Sequence, residues 1–289
     1  MSVAEQGAKE RLSLLIEEQR FAAIGEQNGV IKRIKGVISN SKPNPERLFV
    51  AEGLWAFKKL IEFGTELVYL AVCPDFIYTN EAVSAVEELS SRVADRFTVS
   101  AKTFEKLSER DKPDGLLALA RLPQPDINDF RPPKNAIILV LDAVEIPGNV
   151  GTMLRMADGA AVDAMFMVNR KVRLAHPKLV KGSMGAVLSI PVFEFESVSA
   201  CRKWLYDHGF TVYLADTRAT HSYFEEPFGN NVALIMGSER YGISREWYDE
   251  RAVMISIPMH GSCDSLNVGV AATVLCYEAS IKRDGGKRG

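Results

Sequence analysis

The sequence predicts an α/β fold, with a mostly parallel sheet in the second half of the chain and a small α/β domain before it. Short apolar runs alternate with segments of helical period through the second half of the 289 residues, which is the pattern of parallel strands joined by helices. The run IILVLDAV (residues 137–144) is apolar almost throughout, as in a strand buried on both faces. Four prolines in residues 121–135 mark a boundary between the two halves.

The first half predicts a helical lead-in followed by the small α/β domain. Residues 1–36 carry Leu, Ile and Ala at helical spacing, and SNSKPNPER after them is a turn-rich break. The elements that follow are LFVAEG (strand), LWAFKKLIEFG (helix ended by Gly64), LVYLAVCP (strand), NEAVSAVEELSSRVAD (helix), RFTVSA (strand) and GLLALAR (strand). We therefore assign residues 37–121 to the small domain and residues 122–134 to a linker.

Residues 135–289 predict the larger domain. After IILVLDAV, a tight turn at Pro147 and Gly148 leads into the helix NVGTMLRMADGAA. The later elements are AMFMVN (strand), HPKLVKGSMGAV (helix), PVFEF (strand), SVSACRKWLYDHG (helix), FTVYLAD (strand), VALIMG (strand), SREWYDERA (helix), VMISIPM (strand) and a last helix opened by Ser265, Leu266 and Asn267. Asp264 and Ser265 are the candidate N-caps of this last helix, because their side chains accept hydrogen bonds from its first N–H groups.

Composition narrows the possible functions. The formal net charge of −2 gives no overall basic signature of a nucleic-acid-binding protein. The four cysteines lie far apart, without a CxxC pair or a histidine at zinc spacing, so we expect neither a disulfide framework nor a metal. Acidic residues interrupt the N-terminal apolar run, and no apolar stretch has the length of a membrane span. We therefore expect a cytoplasmic protein without a membrane partner.

Three loops after predicted strands carry polar residues, and in parallel sheets ligands bind outside the carboxyl ends of the strands. Asn149 and Arg155 follow the first strand, Glu239 follows VALIMG, and Ser265 and Asn267 open the last helix. Each loop also has a purely structural explanation, namely a helix cap at Asn149, a carboxylate of Glu239 in solvent and an ordinary capped last helix. The first loop lacks the GxGxxG spacing, which argues against a nucleotide-dependent oxidoreductase.

Together the three loops resemble the SpoU, or TrmH-type, branch of the SPOUT RNA methyltransferases. The motifs that carry the resemblance are NxGxxxR (Asn149, Gly151, Arg155), GxExxG (Gly237, Glu239, Gly242) and IPMxGxxxSLNV (residues 257–268). The stretch RLFVAEGLWAFKKLIE, with KPDGLLALAR later, is similar to the RNA substrate-binding domain that precedes the catalytic domain in many members. That domain resembles a small ribosomal protein.

The resemblance implies transfer of a methyl group from S-adenosylmethionine to a ribose 2′-hydroxyl of rRNA, above all large-subunit rRNA, with tRNA as the alternative. It also implies a SPOUT-like fold with a C-terminal trefoil knot and a homodimer through the catalytic domain. The implied catalytic residues are Asn149, Arg155, Glu239, Ser265 and Asn267. The implied cofactor-binding residues are Ala215, Asp216, Met236, Gly237, Ile257, Met259, Ser265, Leu266 and Asn267. A non-catalytic RNA-binding protein with this fold is the further alternative.

Two locally basic stretches, residues 20–47 and 155–181, are the expected RNA contacts. A guanidinium stays protonated in proteins, so we expect Arg155 to grip a phosphate and stabilise developing alkoxide charge rather than to act as the base. The group that accepts the proton is left open. The expected RNA-binding residues are Lys32, Arg33, Lys35, Arg47, Arg155, Lys178 and Lys181.

Overall fold

The structure, a computed structural model, describes residues 3–283. The chain divides into two compact units, with the boundary between residues 123 and 124. The predicted lead-in at residues 1–36 and the predicted larger domain at residues 135–289 therefore each include a few terminal residues that lie outside the described range.

The first unit contains a five-stranded mixed sheet in the order β1-β4-β3-β5-β2. In this sheet β1, β4 and β3 run parallel, whereas β5 is antiparallel to both β3 and β2. The element bounds are α1 Val3–Glu18, β1 Ala22–Ala23, α2 Gly29–Ile38, β2 Leu48–Glu52, α3 Leu54–Glu62, β3 Leu67–Val72, α4 Asn80–Ser90, β4 Arg96–Thr98, α5 Ala101–Glu105 and β5 Leu116–Arg121.

The predicted helical lead-in is interrupted in the structure. The chain leaves α1 at Glu18, pairs briefly with β4 as β1, and starts α2 where the Asn28 Oδ1 accepts a hydrogen bond from the Val30 N–H at 2.8 Å. Ile31 and Ile34 of α2 are fully buried in the core of the first unit. Helix α2 is therefore part of this unit's packing and crosses the boundary predicted at residue 36.

The second unit contains a six-stranded sheet in the order β11-β9-β10-β6-β7-β8, and every neighbouring pair in it is parallel. The prediction of an α/β fold with mostly parallel strands is confirmed. The element bounds are β6 Ile137–Asp142, α6 Pro147–Gly159, β7 Ala164–Val168, α7 Pro177–Ser183, α8 Ala186–Ser189, β8 Val192–Glu194, α9 Val198–Asp207, β9 Thr211–Ala215, β10 Val232–Met236, β11 Val253–Ile255 and α10 Val268–Arg283.

Helices cover the second sheet because its central strands are apolar on both faces. All of β6 is buried, and its Ile138 and Val140 share a core with Cys201 and Leu205 of α9. Side chains alternate between the faces of a strand, so the neighbours of Ile138 and Val140 point to the opposite face. Helix α10 packs against β6, β10 and α6. The continuous apolar run that predicted a doubly buried strand corresponds to this arrangement.

Three local predictions are wrong, and one short helix was not predicted. The segment HPKLVKGSMGAV forms two helices, because Met184 and Gly185 adopt left-handed backbone conformations. SREWYDERA forms only a 3₁₀ turn at Arg245–Trp247, and the short helix α5 has no counterpart in the prediction. The cap of α10 is Asn267, whose Oδ1 accepts a hydrogen bond from the Gly269 N–H at 2.9 Å, rather than Asp264 or Ser265.

The segment predicted as a linker, residues 122–134, is held at both of its ends. The Leu122 N–H donates to the Arg47 carbonyl oxygen at 3.0 Å within the first unit. Ile127 and Phe130 pack on the core of the second unit, where the Phe130 ring stacks on Trp204 at a centroid distance of 6.0 Å.

Among residues 3–283, no helix combines the length and the apolar character that crossing a membrane requires. In the same part of the chain, no group of three or more His, Cys, Asp or Glu side chains could hold a metal ion.

Candidate active site

The loop after β10 forms a tight turn that only glycine permits at its first position. A Cβ on Gly237 would lie 2.2 Å from the carbonyl carbon of Gly242 and 2.4 Å from the nitrogen of Ile243. Ser238 and Gly242 exchange backbone hydrogen bonds of 3.0 and 2.9 Å, and Gly242 has a φ of +71°. The Tyr241 N–H also donates to the Ser238 Oγ at 2.9 Å. Residues 239–241 therefore project from a closed turn at the carboxyl end of the sheet.

Asp142 holds this turn against the neighbouring strands. Its carboxylate is fully buried at the end of β6. One carboxylate oxygen accepts the Ser244 N–H at 2.7 Å, and the other accepts the Asn169 side-chain amide at 2.8 Å. Sequence reasoning missed Asp142, although an acidic residue that ends an otherwise apolar strand run was a visible signal. A buried carboxylate needs such partners, and here they join three strand ends.

Asn149 and Glu239 come together although they are 90 positions apart in the chain. The Asn149 side-chain amide donates to the Glu239 carboxylate at 2.6 Å. Asn149 lies inside the first turn of α6, whose N-cap is Ile146, so the structural alternative of a cap at Asn149 is wrong. Arg155, later on α6, is exposed and has no partner in a hydrogen bond or ion pair among residues 3–283.

Helices α6 and α7 pack with their backbones in contact. A Cβ on Gly151 would lie 2.5 Å from the Leu179 carbonyl oxygen. This contact brings α7, with the exposed Lys178 and Lys181, against the helix that carries Asn149 and Arg155. Four of the predicted polar and basic residues therefore lie on one packed pair of helices.

The surroundings of His176 show that the start of α7 is electropositive. His176 caps α7, with its Nδ1 accepting the Lys178 N–H at 3.1 Å. Burial lowers the pKa of His176, and the positive charges of Arg173 and Lys178 lower this pKa further. A neutral imidazole keeps Nδ1 available as the acceptor that this cap requires.

A cavity of about 630 Å³ opens at the carboxyl ends of β9, β10 and β11. Its lining combines apolar side chains with backbone from the loops after these strands, which is the usual character of a small-molecule site. It includes every residue that the resemblance assigns to the cofactor: Ala215, Asp216, Met236, Gly237, Ile257, Met259, Ser265, Leu266 and Asn267. The individual contacts to a cofactor stay predictions.

The predicted catalytic residues divide into those that line this cavity and those that do not. Glu239, Ser265 and Asn267 belong to its lining. Asn149 lies outside the lining but is joined to it through the hydrogen bond to Glu239. Arg155 is neither in the lining nor bonded to it.

Asp216 lies in the cavity wall and accepts a network of hydrogen bonds that the sequence did not predict. One carboxylate oxygen accepts the Arg218 N–H at 2.9 Å and the Arg218 Nε–H at 3.0 Å. The other oxygen accepts the Arg218 Nη2 at 2.8 Å and the Tyr248 hydroxyl at 2.6 Å. The hydrogen bonds from the Arg218 side chain lower the pKa of Asp216 to about 2, although burial opposes this shift. All four acceptor positions of the carboxylate are used, so Arg218 and Tyr248 occupy the carboxylate oxygens that a ligand could otherwise bind.

In the first unit, the predicted RNA-binding residues lie in different surroundings. Lys32 and Arg33 line a groove of about 560 Å³ between α2 and the turn before β2. Arg33 is held by the Tyr69 hydroxyl at 2.9 Å and by Glu46 at 2.5 Å. Lys35 pairs with Glu26 at 3.0 Å, and neither Lys35 nor Arg47 belongs to the lining of this groove.

Comparison with known proteins matches both units. Residues 136–277 match the SpoU rRNA Methylase family, and residues 28–118 match the MRM3-like substrate binding domain. The crystal structure of an RNA 2′-O ribose methyltransferase is 32% identical, with a TM-score of 0.72, over 89% of this chain and 97% of that chain. The chain belongs to the SpoU rRNA methylase family.

Other relatives agree with this membership. The 23S rRNA (guanosine(2553)-2′-O)-methyltransferase RlmP of Bacillus subtilis is 29% identical to this chain, in a match that covers 63% of this chain and 71% of RlmP. A Staphylococcus saprophyticus protein assigned to the TrmH family of tRNA/rRNA methyltransferases is 32% identical, but the match spans only 61% of its length. The AdoMet-bound rRNA methyltransferase of Sinorhizobium meliloti, 22% identical, shares the fold with a TM-score of 0.79 over 90% of this chain and 97% of its own.

Proposed function

We propose that this SpoU protein transfers a methyl group from S-adenosylmethionine to a ribose 2′-hydroxyl in large-subunit rRNA. The observation that carries the proposal is the meeting of the three motif loops, which place a ligand-sized cavity beside the Asn149–Glu239 pair. The names of RlmP and of the RNA 2′-O ribose methyltransferase support the reaction and the rRNA substrate. A tRNA substrate is the second candidate, supported by relatives described as tRNA/rRNA methyltransferases.

The cavity fits S-adenosylmethionine in size and in chemistry. Apolar lining from Met236, Leu266 and Leu275 suits an adenine ring, while Gly237 lets the loop after β10 close tightly at the cavity wall. Arg218, oriented by Asp216, supplies a cation at the cavity wall. When bound, the cofactor supplies the electrophilic methyl group.

The remaining site residues would orient the ribose and stabilise charge. A ribose hydroxyl is a poor nucleophile at neutral pH, so it must be aligned with the methyl group and lose its proton. Glu239 holds the Asn149 amide in place, and the exposed Arg155 is free to bind the phosphate beside the ribose. Asn267 uses its amide oxygen to cap α10, so it and Ser265 would order the loop at the cavity edge. The proton acceptor stays open.

RNA would bind through basic residues on both units. Lys32 and Arg33 in the groove of the first unit, with Lys178 and Lys181 on α7, are the best-placed cations of the predicted set. The match of residues 28–118 to a substrate binding domain supports this role for the first unit. Phosphate contacts of this kind predict RNA affinity that falls steeply as salt is raised. Affinity that is insensitive to salt would remove these residues from the contact surface.

The finer features of the family are also proposals for this chain. We propose a trefoil knot formed by the chain between β10 and α10, in agreement with the return of α10 from the edge strand β11 to pack on β6, β10 and α6. A homodimer through the second unit and a cytoplasmic location stay predictions.

The proposed function is tested by incubating the protein with labelled S-adenosylmethionine and total bacterial RNA, then mapping the modified ribose. Label in a 2′-O-methyl group of large-subunit rRNA is the expected result, and label in tRNA would select the alternative. Binding of both cofactor and RNA without any methyl transfer would instead favour a non-catalytic RNA-binding protein. The same reaction without the protein serves as the negative control.

A further inference from the structure

The turn at residues 239–241 carries an aromatic side chain that the fold leaves uncovered. Tyr241 is 72% exposed, more than any other aromatic residue between residues 3 and 283. It nevertheless belongs to the lining of the cavity beside Glu239. The Arg240 guanidinium lies over the Tyr241 ring, 5.1 Å from its centroid.

This exposed ring stands on a rigid support. The backbone pair between Ser238 and Gly242 closes the turn, and the Tyr241 N–H is fixed by the Ser238 Oγ. Asp142 holds the next segment through the Ser244 N–H at 2.7 Å. A ring on a fixed backbone loses little freedom when a flat ligand covers it, so it is suited to binding.

We infer that Arg240 and Tyr241 form a stacking platform for an unpaired nucleobase at, or directly beside, the ribose that is methylated. The inference rests on the proposed function, because it places the target ribose next to Glu239 and the cavity. Every nucleobase has a flat face, and bases that leave a helix stack on aromatic rings and on arginine planes. Arg240 lies over the ring, and the 72% exposure of Tyr241 leaves room for a base to stack on it.

The substrate class follows from this arrangement. A base inside a duplex is stacked on both faces by its neighbours, so it cannot also cover Tyr241. The preferred RNA is therefore a loop, a bulge or a nucleotide that has been turned out of its helix, rather than the interior of a regular duplex. The platform would select for an unpaired base without reading its identity.

The test compares the affinity of the full-length protein for three labelled RNAs without S-adenosylmethionine. The probes are a single-stranded 12-nucleotide RNA of mixed sequence, an abasic strand of the same length, and a duplex of the same sequence. The variants are Tyr241→Ala, Tyr241→Phe and, as a matched control, Phe224→Ala, which removes an aromatic side chain that is 56% exposed and outside the cavity lining.

The wild type, Tyr241→Phe and Phe224→Ala should each bind the single strand about tenfold or more tightly than the abasic strand, since one base–aromatic stack contributes on that order. Tyr241→Ala should reduce this preference to about twofold or less, with a thermal midpoint close to that of the wild type because the ring is exposed. The inference would be overturned if Tyr241→Ala kept the wild-type preference for the single strand, or if the wild type bound the duplex as tightly as the single strand. It would also be overturned if Tyr241→Ala shifted the oligomer distribution in sedimentation relative to the wild type, because the ring would then belong to a contact with a second copy of the chain. No methyl transfer is measured, so failure here is distinct from failure of the proposed reaction.

Discussion

Replacing Gly237 by alanine should damage the cavity more than its small size suggests. The added Cβ would lie 2.2 to 2.5 Å from three backbone atoms of Gly242 and Ile243, whereas ordinary contact begins near 3.4 Å. The turn would therefore have to open by about 1 Å, and overpacking of this kind costs about 1–3 kcal/mol. For a unit of this size, that cost corresponds to a fall of the thermal midpoint of about 2–12 °C. If the same free energy is lost from cofactor binding instead, the affinity for S-adenosylmethionine falls about 5- to 150-fold.

The assay pairs calorimetric titration of S-adenosylmethionine with thermal unfolding. Gly261→Ala is the matched control, because Gly261 lies in the third motif and a Cβ there meets no atom within 4 Å. We expect Gly237→Ala to lose affinity, stability or both, and Gly261→Ala to keep both within error. A Gly237→Ala protein that matches the wild type in affinity and in thermal midpoint would show that the turn yields freely, and the close approach would then have no role in shaping the site.

Three further substitutions separate the parts of the site. Arg155→Ala should abolish methyl transfer and leave S-adenosylmethionine affinity within about twofold, because the side chain is outside the cavity lining; retained activity would remove Arg155 from the mechanism. Leu266→Arg should weaken cofactor binding in titration by filling the cavity, and unchanged affinity would contradict the placement of the cofactor. Asp216→Asn should be less stable than the wild type above about pH 4, because the ordinary pKa of an aspartate is 3.8 and the folded protein lowers the pKa of Asp216 to about 2. This difference in stability should vanish as the pH falls through about 2, where Asp216 becomes protonated in the folded protein. Thermal midpoints between pH 2 and pH 6 measure that difference, and one that persists at the lowest pH would have another origin.

The sheet of the second unit could be predicted because each central strand is apolar on both faces. The run over β6 needs cover from both sides, and that requirement alone implies helices on each face of a parallel sheet. Helix ends were harder to predict, because they depend on single backbone conformations. Met184 has a φ of +48°, which ends α7 although the residues on either side have helical spacing. Nothing in a methionine signals that conformation.

The site could be predicted only as far as its motifs extend. The residues assigned to the cofactor line one cavity, and Asn149 meets Glu239 across 90 positions. Asp142 and the Arg218–Tyr248 pair were missed because their importance depends on which loops the fold brings together. A sequence shows an acidic residue at a strand end, but it does not show that the Ser244 N–H lies 2.7 Å away.

Some motif residues therefore shape the site and others are predicted to take part in the reaction, and a loss of activity in a variant can come from either role. Gly151 and Gly237 permit backbone contacts that a side chain would block, so both shape the site through the backbone. Asn267 caps the first turn of α10, and removing a cap costs about 1 kcal/mol whatever its role in the reaction. Glu239 is exposed, but its hydrogen bond to Asn149 ties the loop after β10 to α6, so its replacement also disturbs the geometry of the site. Arg155 is exposed and has no hydrogen bond or ion pair to another residue between 3 and 283, so a loss of activity on its replacement reports the reaction itself. Chemistry in this site is therefore best assigned from Arg155, and the buried motif positions explain why it stands where it does.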